Sequence, residues 1–284
     1  MVAAIFNEAF MYGANLRFTK ATAAKFVDTD LTKSNLESAK LDSAILTGTK
    51  LSGADLKAVN FFKADLYKTN LSGANLQGAN FRGANLEMAN LNWCNLKGAR
   101  LSGANLKRAQ LNDVQLKGAF LNGIYLEERV LDGFSMEQTR LNAAKLNNSH
   151  LVGVNLEESS LMGAELENSS LQKANLHFSN LKGAHLFQAD LSGIDLTEAN
   201  LINADLRQTK INLAQLSQAN LKEANLTGAY LWGTNLTEAN LEGANLEDAN
   251  LRDANLRDAN LNGVDLSRAI LKNTTMPDGT IANS

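Results

Sequence analysis

Cysteine and proline are nearly missing: the 284-residue chain has one of each, Cys94 and Pro277. A single cysteine excludes a disulfide framework and a cysteine zinc cluster, and it fits a reducing compartment. A single proline leaves almost every residue with a backbone donor, as a continuous hydrogen-bonded ladder requires. Neither sign of charge is in excess, since 27 Lys and Arg face 30 Asp and Glu, for a formal net charge of −3. That balance weighs against a nucleic-acid or membrane-surface protein recognised by its net charge. Long apolar runs are missing too. The start, MVAAIFNEAFMYGANL, has neither the basic segment of a signal peptide nor the length of a membrane span, so the expectation is a cytoplasmic protein. With 44% apolar and 20% charged residues the chain has a folded, not a disordered, composition.

What fills the sequence is a period of five. Taking every fifth residue from Phe26 to Leu271 gives 50 positions, of which 45 are Leu and the rest Phe26, Phe61, Phe81, Met136 and Ile211. No insertion shifts the frame, which runs back through Leu16, Met11 and Phe6 with one break at Ala21, and forward to Met276. Two residues before each of these sits a small side chain such as Ala74, Ala84, Ala104, Ala224 or Ala244, with Ser, Thr, Val or Cys94 in other units. On an α-helix five residues turn the chain by about 500°, which spreads the leucines round the axis. On a flat strand an odd period throws successive leucines onto opposite faces. The remaining solution is a chain that bends at every repeat and points each Leu and each small residue inward, a solenoid with a filled interior. Of the 20 glycines, all but Gly279 lie two residues after the leucine position, which puts a corner with φ > 0 there.

Runs such as ADLYKTNLSGANLQGANFRGANLEMANL from Ala64 and TEANLEGANLEDANLRDANLRDANL from Thr237 resemble tandem A(D/N)LXX units. The chain is thus similar to the pentapeptide repeat family over nearly its whole length. The resemblance implies an all-β fold, a right-handed quadrilateral β-helix with four pentapeptides per coil and residues twenty apart stacked. It then has about 13 to 14 coils and is roughly 65 Å long at the ~4.8 Å strand spacing. The tail MPDGTI looks like those of cyanobacterial members, some of which act in heterocyst development. Residues 1–25 are expected either to cap the solenoid or to form an imperfect first coil, 26–276 to form the β-helix, and 277–284 a short tail.

Catalytic chemistry is sparse. His150, His177 and His185 fall on three different sides of the four-sided arrangement, so no pair converges on a metal or a substrate. Cys94 takes the small inward position and reads as packing. No phosphate-binding loop and no cofactor site is expected, and the protein reads as non-enzymatic. One side carries Lys20, Lys40, Lys63, Arg82, Arg100, Arg140, Lys182 and Lys222 against Asp42, Glu223 and Glu242, a mild basic stripe. Lacking interleaved aromatics in this reading, it argues against direct nucleic-acid binding.

Departures from the repeat are the candidate sites. In FLNGIYLEERVLDGFSMEQTR, residues 120–140, Ile124, Arg129 and Phe134 occupy the small inward position in succession. Three readings stay open: an irregular coil with Arg129 turned outward, a loop that docks a partner through Phe120, Tyr125 and Val130, or a buried charge with a dedicated partner. A second candidate is Tyr230 with Trp232, aromatics that flank Leu231 on one coil, on a side that also bears Trp93, Val152 and Leu213. The expected function is a regulatory scaffold, monomeric or weakly dimeric, that binds a protein partner through these residues. The alternative is a nucleic-acid mimic that inhibits or protects a DNA-binding enzyme such as gyrase, as acidic members of the family do.

Overall fold

The computed structural model describes residues 1–283. Two compact units, residues 1–125 and 126–284, are described separately below. In both, the five-residue unit is a two-residue turn followed by a single-residue parallel bridge, and each bridge joins residues twenty apart, as in Asn75↔Asn95 and Asn155↔Asn175. Four pentapeptides therefore make one coil, and each unit is a quadrilateral β-helix. No helix occurs among the described residues.

The pentapeptide around Leu76 shows why these residue types recur. Its leucine N–H donates to Asn95 O at 2.8 Å, the corner Gly78 N–H to Lys97 O at 2.9 Å, and Asn75 N–H back to Ala54 O at 3.0 Å. Ala79 N–H closes the turn onto Leu76 O at 3.0 Å. One donor per unit, on the residue after the leucine, is left over by the ladder. The Asn or Asp two residues earlier accepts from it in many units, as when Tyr67 N–H donates to Asp65 Oδ1 at 3.1 Å and Thr197 N–H to Asp195 Oδ1 at 2.9 Å. This Asx contact explains Asn and Asp before the leucine. Amides also bond coil to coil in these columns, for example Asn80 to Asn60 at 2.8 Å and Asn260 to Asn240 at 3.0 Å.

The leucine and small positions are both buried, with Leu76, Leu86, Leu166 and Leu226 at 0–1% exposure. Burying each Leu contributes about 1.5–3 kcal/mol before entropy is subtracted. Where the small residue is Ser, Thr or Cys it is mostly satisfied within the wall, as when Thr49 Oγ1 donates to Phe26 O at 2.6 Å and Cys94 Sγ to Leu71 O at 3.0 Å, whereas the buried Ser179 hydroxyl has no partner. Corners adopt φ > 0 whether or not they hold glycine: Gly73 has φ 68°, Lys68 55° and Trp93 61°. Non-glycine corners carry ~1 kcal/mol of strain each, tolerated because the corner N–H is bonded along the stack.

Residues 1–25 form a coil of the ladder and do not fold across its end. Ile5 bridges Lys25, Phe10 bridges Asp30, and Phe6 stacks on Phe26 with centroids 5.0 Å apart. Ala21, the break in the leucine series, is buried all the same. At the C-terminus the Pro-Asp-Gly segment makes a hairpin, with β1 (Thr274–Thr275) antiparallel to β2 (Ile281–Ala282).

Candidate interaction surface

The turn-and-bridge frame runs through 120–140 without an inserted residue, which corrects the docking-loop reading. An aromatic or Arg at the inward position is absorbed by partial exposure, and the backbone does not leave the wall. In the first unit Ile124 is fully buried, Phe120 is half-buried with the Arg100 guanidinium over its ring at 5.7 Å, and Tyr125 is 68% exposed. In the second unit Glu128 and Gly133 keep corner φ values of 57° and 70°, and the carbonyls of Arg129 and Phe134 accept the N–H groups of His150 and Asn155 at 2.8 and 2.9 Å. Arg129 and Phe134 are half-buried, Val130 is exposed, and burial holds the Arg129 guanidinium below the usual arginine range. Phe120 and Tyr125 thus belong to the first unit, and Arg129, Val130 and Phe134 to the second.

Tyr230 and Trp232 lie in one coil of the second unit but face different surroundings. Tyr230, half exposed, lines an open groove of about 630 Å³ with Lys210, Gly228, Asp248, Asn250 and Ile270. Gly228 creates part of this space, because it interrupts the outward column of Gln188, Gln208 and Asp248. Ile270 is 45% exposed and adds an apolar wall. Trp232 is outside the groove lining. It sits at the next corner, where Nε1–H donates to Asp253 Oδ2 at 2.8 Å and its backbone N–H to Asn212 Oδ1 at 3.2 Å. Hydrogen bonds from Asn273 and Trp232 hold the Asp253 carboxyl below the usual carboxylate range. Leu213, exposed beside this corner, leans over Gly233, where a Cβ would come within 2.9 Å of Leu213 Cδ2. The groove's Ile270 and the gap at Gly228 are missing from the sequence reading, since neither breaks the period. The only signal is that 228 and 248 share a column.

The chemistry that would mark an enzyme is thin. Among the described residues no cluster of three His, Cys, Asp or Glu is placed to hold a metal ion. Cys94 is buried and its thiol is pushed up to about 12 by desolvation, so it is protonated at neutral pH. His177 stacks on Phe178 with centroids 3.9 Å apart and lies 4.0 Å from Glu198, a single contact without a catalytic partner set. Among the described residues no helix is long and apolar enough to cross a membrane.

Comparison with known families matches the Pentapeptide repeats family at residues 3–128, 139–177 and 179–278, through overlapping copies. The chain belongs to the pentapeptide repeat family. The right-handed quadrilateral β-helix expected for that family is the fold of this chain, and the longest stretch its repeats leave unmatched, 129–138, is the one where Arg129 and Phe134 replace small residues. Among solved structures the chain is similar to HetL, a pentapeptide repeat protein involved in heterocyst differentiation regulation from the cyanobacterium Nostoc sp. strain PCC 7120. That match has 27% identity, covers 94% of this chain and 92% of HetL, and has a TM-score of 0.30. It is also similar to Rfr23 from the cyanobacterium Cyanothece 51142, with 37% identity over 39% of this chain and 63% of that one at a TM-score of 0.24. QnrB1, a plasmid-mediated fluoroquinolone resistance protein, matches with 17% identity over 86% of this chain and 92% of its own at a TM-score of 0.36. No curated protein matches the chain.

Proposed function

We propose that this pentapeptide repeat protein is a non-enzymatic, regulatory scaffold that binds a protein partner through the Tyr230 groove of its second unit. The observation that carries this reading is the groove itself. A half-exposed Tyr and an exposed Ile border a gap opened by Gly228, rimmed by Lys210 and Asp248, which pair with Asp190 and Arg268. Tyr is a favoured interface anchor, and such an anchor typically contributes 2 kcal/mol or more when it fills a partner's pocket. Trp232 and Leu213 extend the apolar area round the adjacent corner.

The test is affinity capture with the native chain and with Tyr230→Ala as bait, each checked for an unchanged melting temperature. Loss of the captured partner by Tyr230→Ala, with retention by Trp93→Ala, supports the reading. Capture undiminished by Tyr230→Ala together with Ile270→Ser refutes it.

A second reading, nucleic-acid mimicry, is favoured by one observation. In the second unit one corner column carries Glu137, Glu157, Glu158, Glu198, Glu238, Asp258 and Asp278 against Arg257 alone. Inhibition of gyrase supercoiling that is relieved by excess duplex DNA would support it, and loss of that inhibition in a Glu157→Gln, Glu158→Gln variant would locate it.

A further inference from the structure

The chain's small net charge conceals a division. Residues 1–125 hold fifteen Lys and Arg against nine Asp and Glu, a net of +6, while residues 126–284 hold twelve against twenty-one, a net of −9. Within the first unit the excess is confined to one side. That side is the bridge column Lys20, Lys40, Asn60, Asn80, Arg100 and Phe120, together with the two corners that bound it. The corner before it adds Arg17, Lys57, Lys97 and Lys117, and the corner after it adds Lys63 and Arg82. Nine cations thus share one face with two carboxylates, Glu37 and Asp42. All nine are exposed.

Among the described residues carboxylate pairing is sparse throughout the first unit, this face included. Arg17 is bonded to Glu37 at 2.6 Å, but none of the other eight has a carboxylate within salt-bridge distance among the described residues. In the second unit Lys145, Arg207, Lys210, Lys222, Arg257 and Arg268 all pair with Asp or Glu. On this face three of the cations lie over aromatic rings: Lys63 at 5.3 Å and Arg82 at 5.7 Å from the Phe62 centroid, and Arg100 at 5.7 Å from that of Phe120. Glycines at 78, 83, 98, 103 and 118 keep the two corners flat.

We propose that this face of the first unit, from Lys20 to Lys117, binds single-stranded nucleic acid. Eight cations without carboxylate partners on a flat wall suit a phosphate backbone, whose binding is driven by release of counterions. Phe62, exposed between Lys63 and Arg82, and the guanidinium planes of Arg82 and Arg100 offer surfaces on which bases stack without sequence preference. Among the described residues the face carries no helix or two-stranded ribbon to enter a duplex groove, which favours the single strand. The objection from net charge loses force. Charges farther from a bound strand than a Debye length, ~8 Å at physiological salt, are screened, so the chain's net charge does not decide what one face binds. The missing aromatics are also supplied, since coil stacking puts Phe62 and Phe120 among the cations.

The experiment is fluorescence anisotropy of a labelled twenty-nucleotide oligothymidylate and of a duplex of equal length, between 50 and 200 mM salt, with sedimentation to monitor the protein alone. Engagement of four phosphates gives a slope of log K against log salt of about −3, an affinity loss of about 50-fold over that range. Lys97→Glu, Arg100→Glu, Lys117→Glu should abolish binding. The matched reversal on other sides of the unit, Lys50→Glu, Lys68→Glu, Lys107→Glu, changes net charge equally and should leave most of it. Phe62→Ala should weaken binding several-fold at fixed salt with the salt slope unchanged. If the reversed face fails to fold, Lys97→Gln, Arg100→Gln, Lys117→Gln makes the same test. The proposal is overturned by no binding at 50 mM salt, by equal losses in the two triple variants, or by tighter binding of the duplex. A salt-sensitive self-association that accounts for the whole signal overturns it too, and assigns the face to the acidic unit of a second copy.

Discussion

Placing a carboxyl at Leu76 probes the inward register most severely. Leu76 is 0% exposed in a stack of leucines, and its N–H is already bonded to Asn95 O. Removing the isobutyl group costs about 3 kcal/mol as lost burial and cavity, and an unsatisfied polar group adds ~1–3 kcal/mol. A loss of about 4–6 kcal/mol is a large share of the 5–15 kcal/mol typical of a folded domain. The side chain also carries its own control. An Asp in this core has its folded-state pKa raised by desolvation above the unfolded value of ~3.9. Below that value the side chain stays neutral and Leu76→Asp matches the isosteric Leu76→Asn, and this parity is lost as pH rises through the raised folded pKa. Urea unfolding of Leu76→Asp and Leu76→Asn at pH 4 and pH 8 measures this. The expected result is two similar variants at pH 4 and a much weaker Asp variant at pH 8. Gln77→Asp, one residue on and exposed, should stay within ~0.5 kcal/mol of the native chain. Equal, pH-independent effects at 76 and 77 would refute the inward assignment of the leucine column.

Three further outcomes are expected. Arg129→Ala with Phe134→Ala puts small residues at two half-buried inward positions, and its melting temperature should hold or rise, since neither backbone leaves the frame; a marked fall would show that these side chains make essential contacts. Cys94, with its pKa raised from 9.0 to about 12, contributes stability that is complete below pH 9 and is lost as pH rises towards 12, so a Cys94→Ala variant should show a flatter stability profile between pH 9 and pH 11. The native thiol should likewise resist a disulfide reagent at pH 8 until denaturant is added. Lys68→Gly relieves a corner at φ 55° and should stabilise by up to ~1 kcal/mol in equilibrium unfolding, whereas Gly73→Val, at φ 68°, should destabilise.

The interior was legible from composition and period alone. An odd period that no helix or strand can bury leaves a bending chain, and the structure buries Leu76, Ala74 and Cys94 where that argument puts them. The outward Asn and Asp were legible as a stack, but their bond to the N–H two residues on was not, because it depends on where the ladder leaves a donor unfilled. Residues 120–140 were legible only as three alternatives, and of these the unbroken frame agrees with the irregular coil, because a solenoid wall tolerates partial exposure of one side chain more easily than a break in four bonds per repeat. The surfaces were least legible. Phe62 reads as an ordinary outward residue until stacking puts it between Lys63 and Arg82, and Gly228 opens a groove only because Gln208 and Asp248 lie beside it.

The central claim is that one unbroken five-residue frame decides which side chains a partner can touch, even where the repeat is least regular. A cysteine scan tests it directly: in a Cys94→Ala background, single cysteines are placed at each position from 125 to 133, and their alkylation rates are measured under native conditions. The account predicts protection at 126 and 131, fast reaction at 125, 127, 128, 130, 132 and 133, and an intermediate rate at 129. Reaction at 126 and 131 as fast as at their neighbours would contradict it.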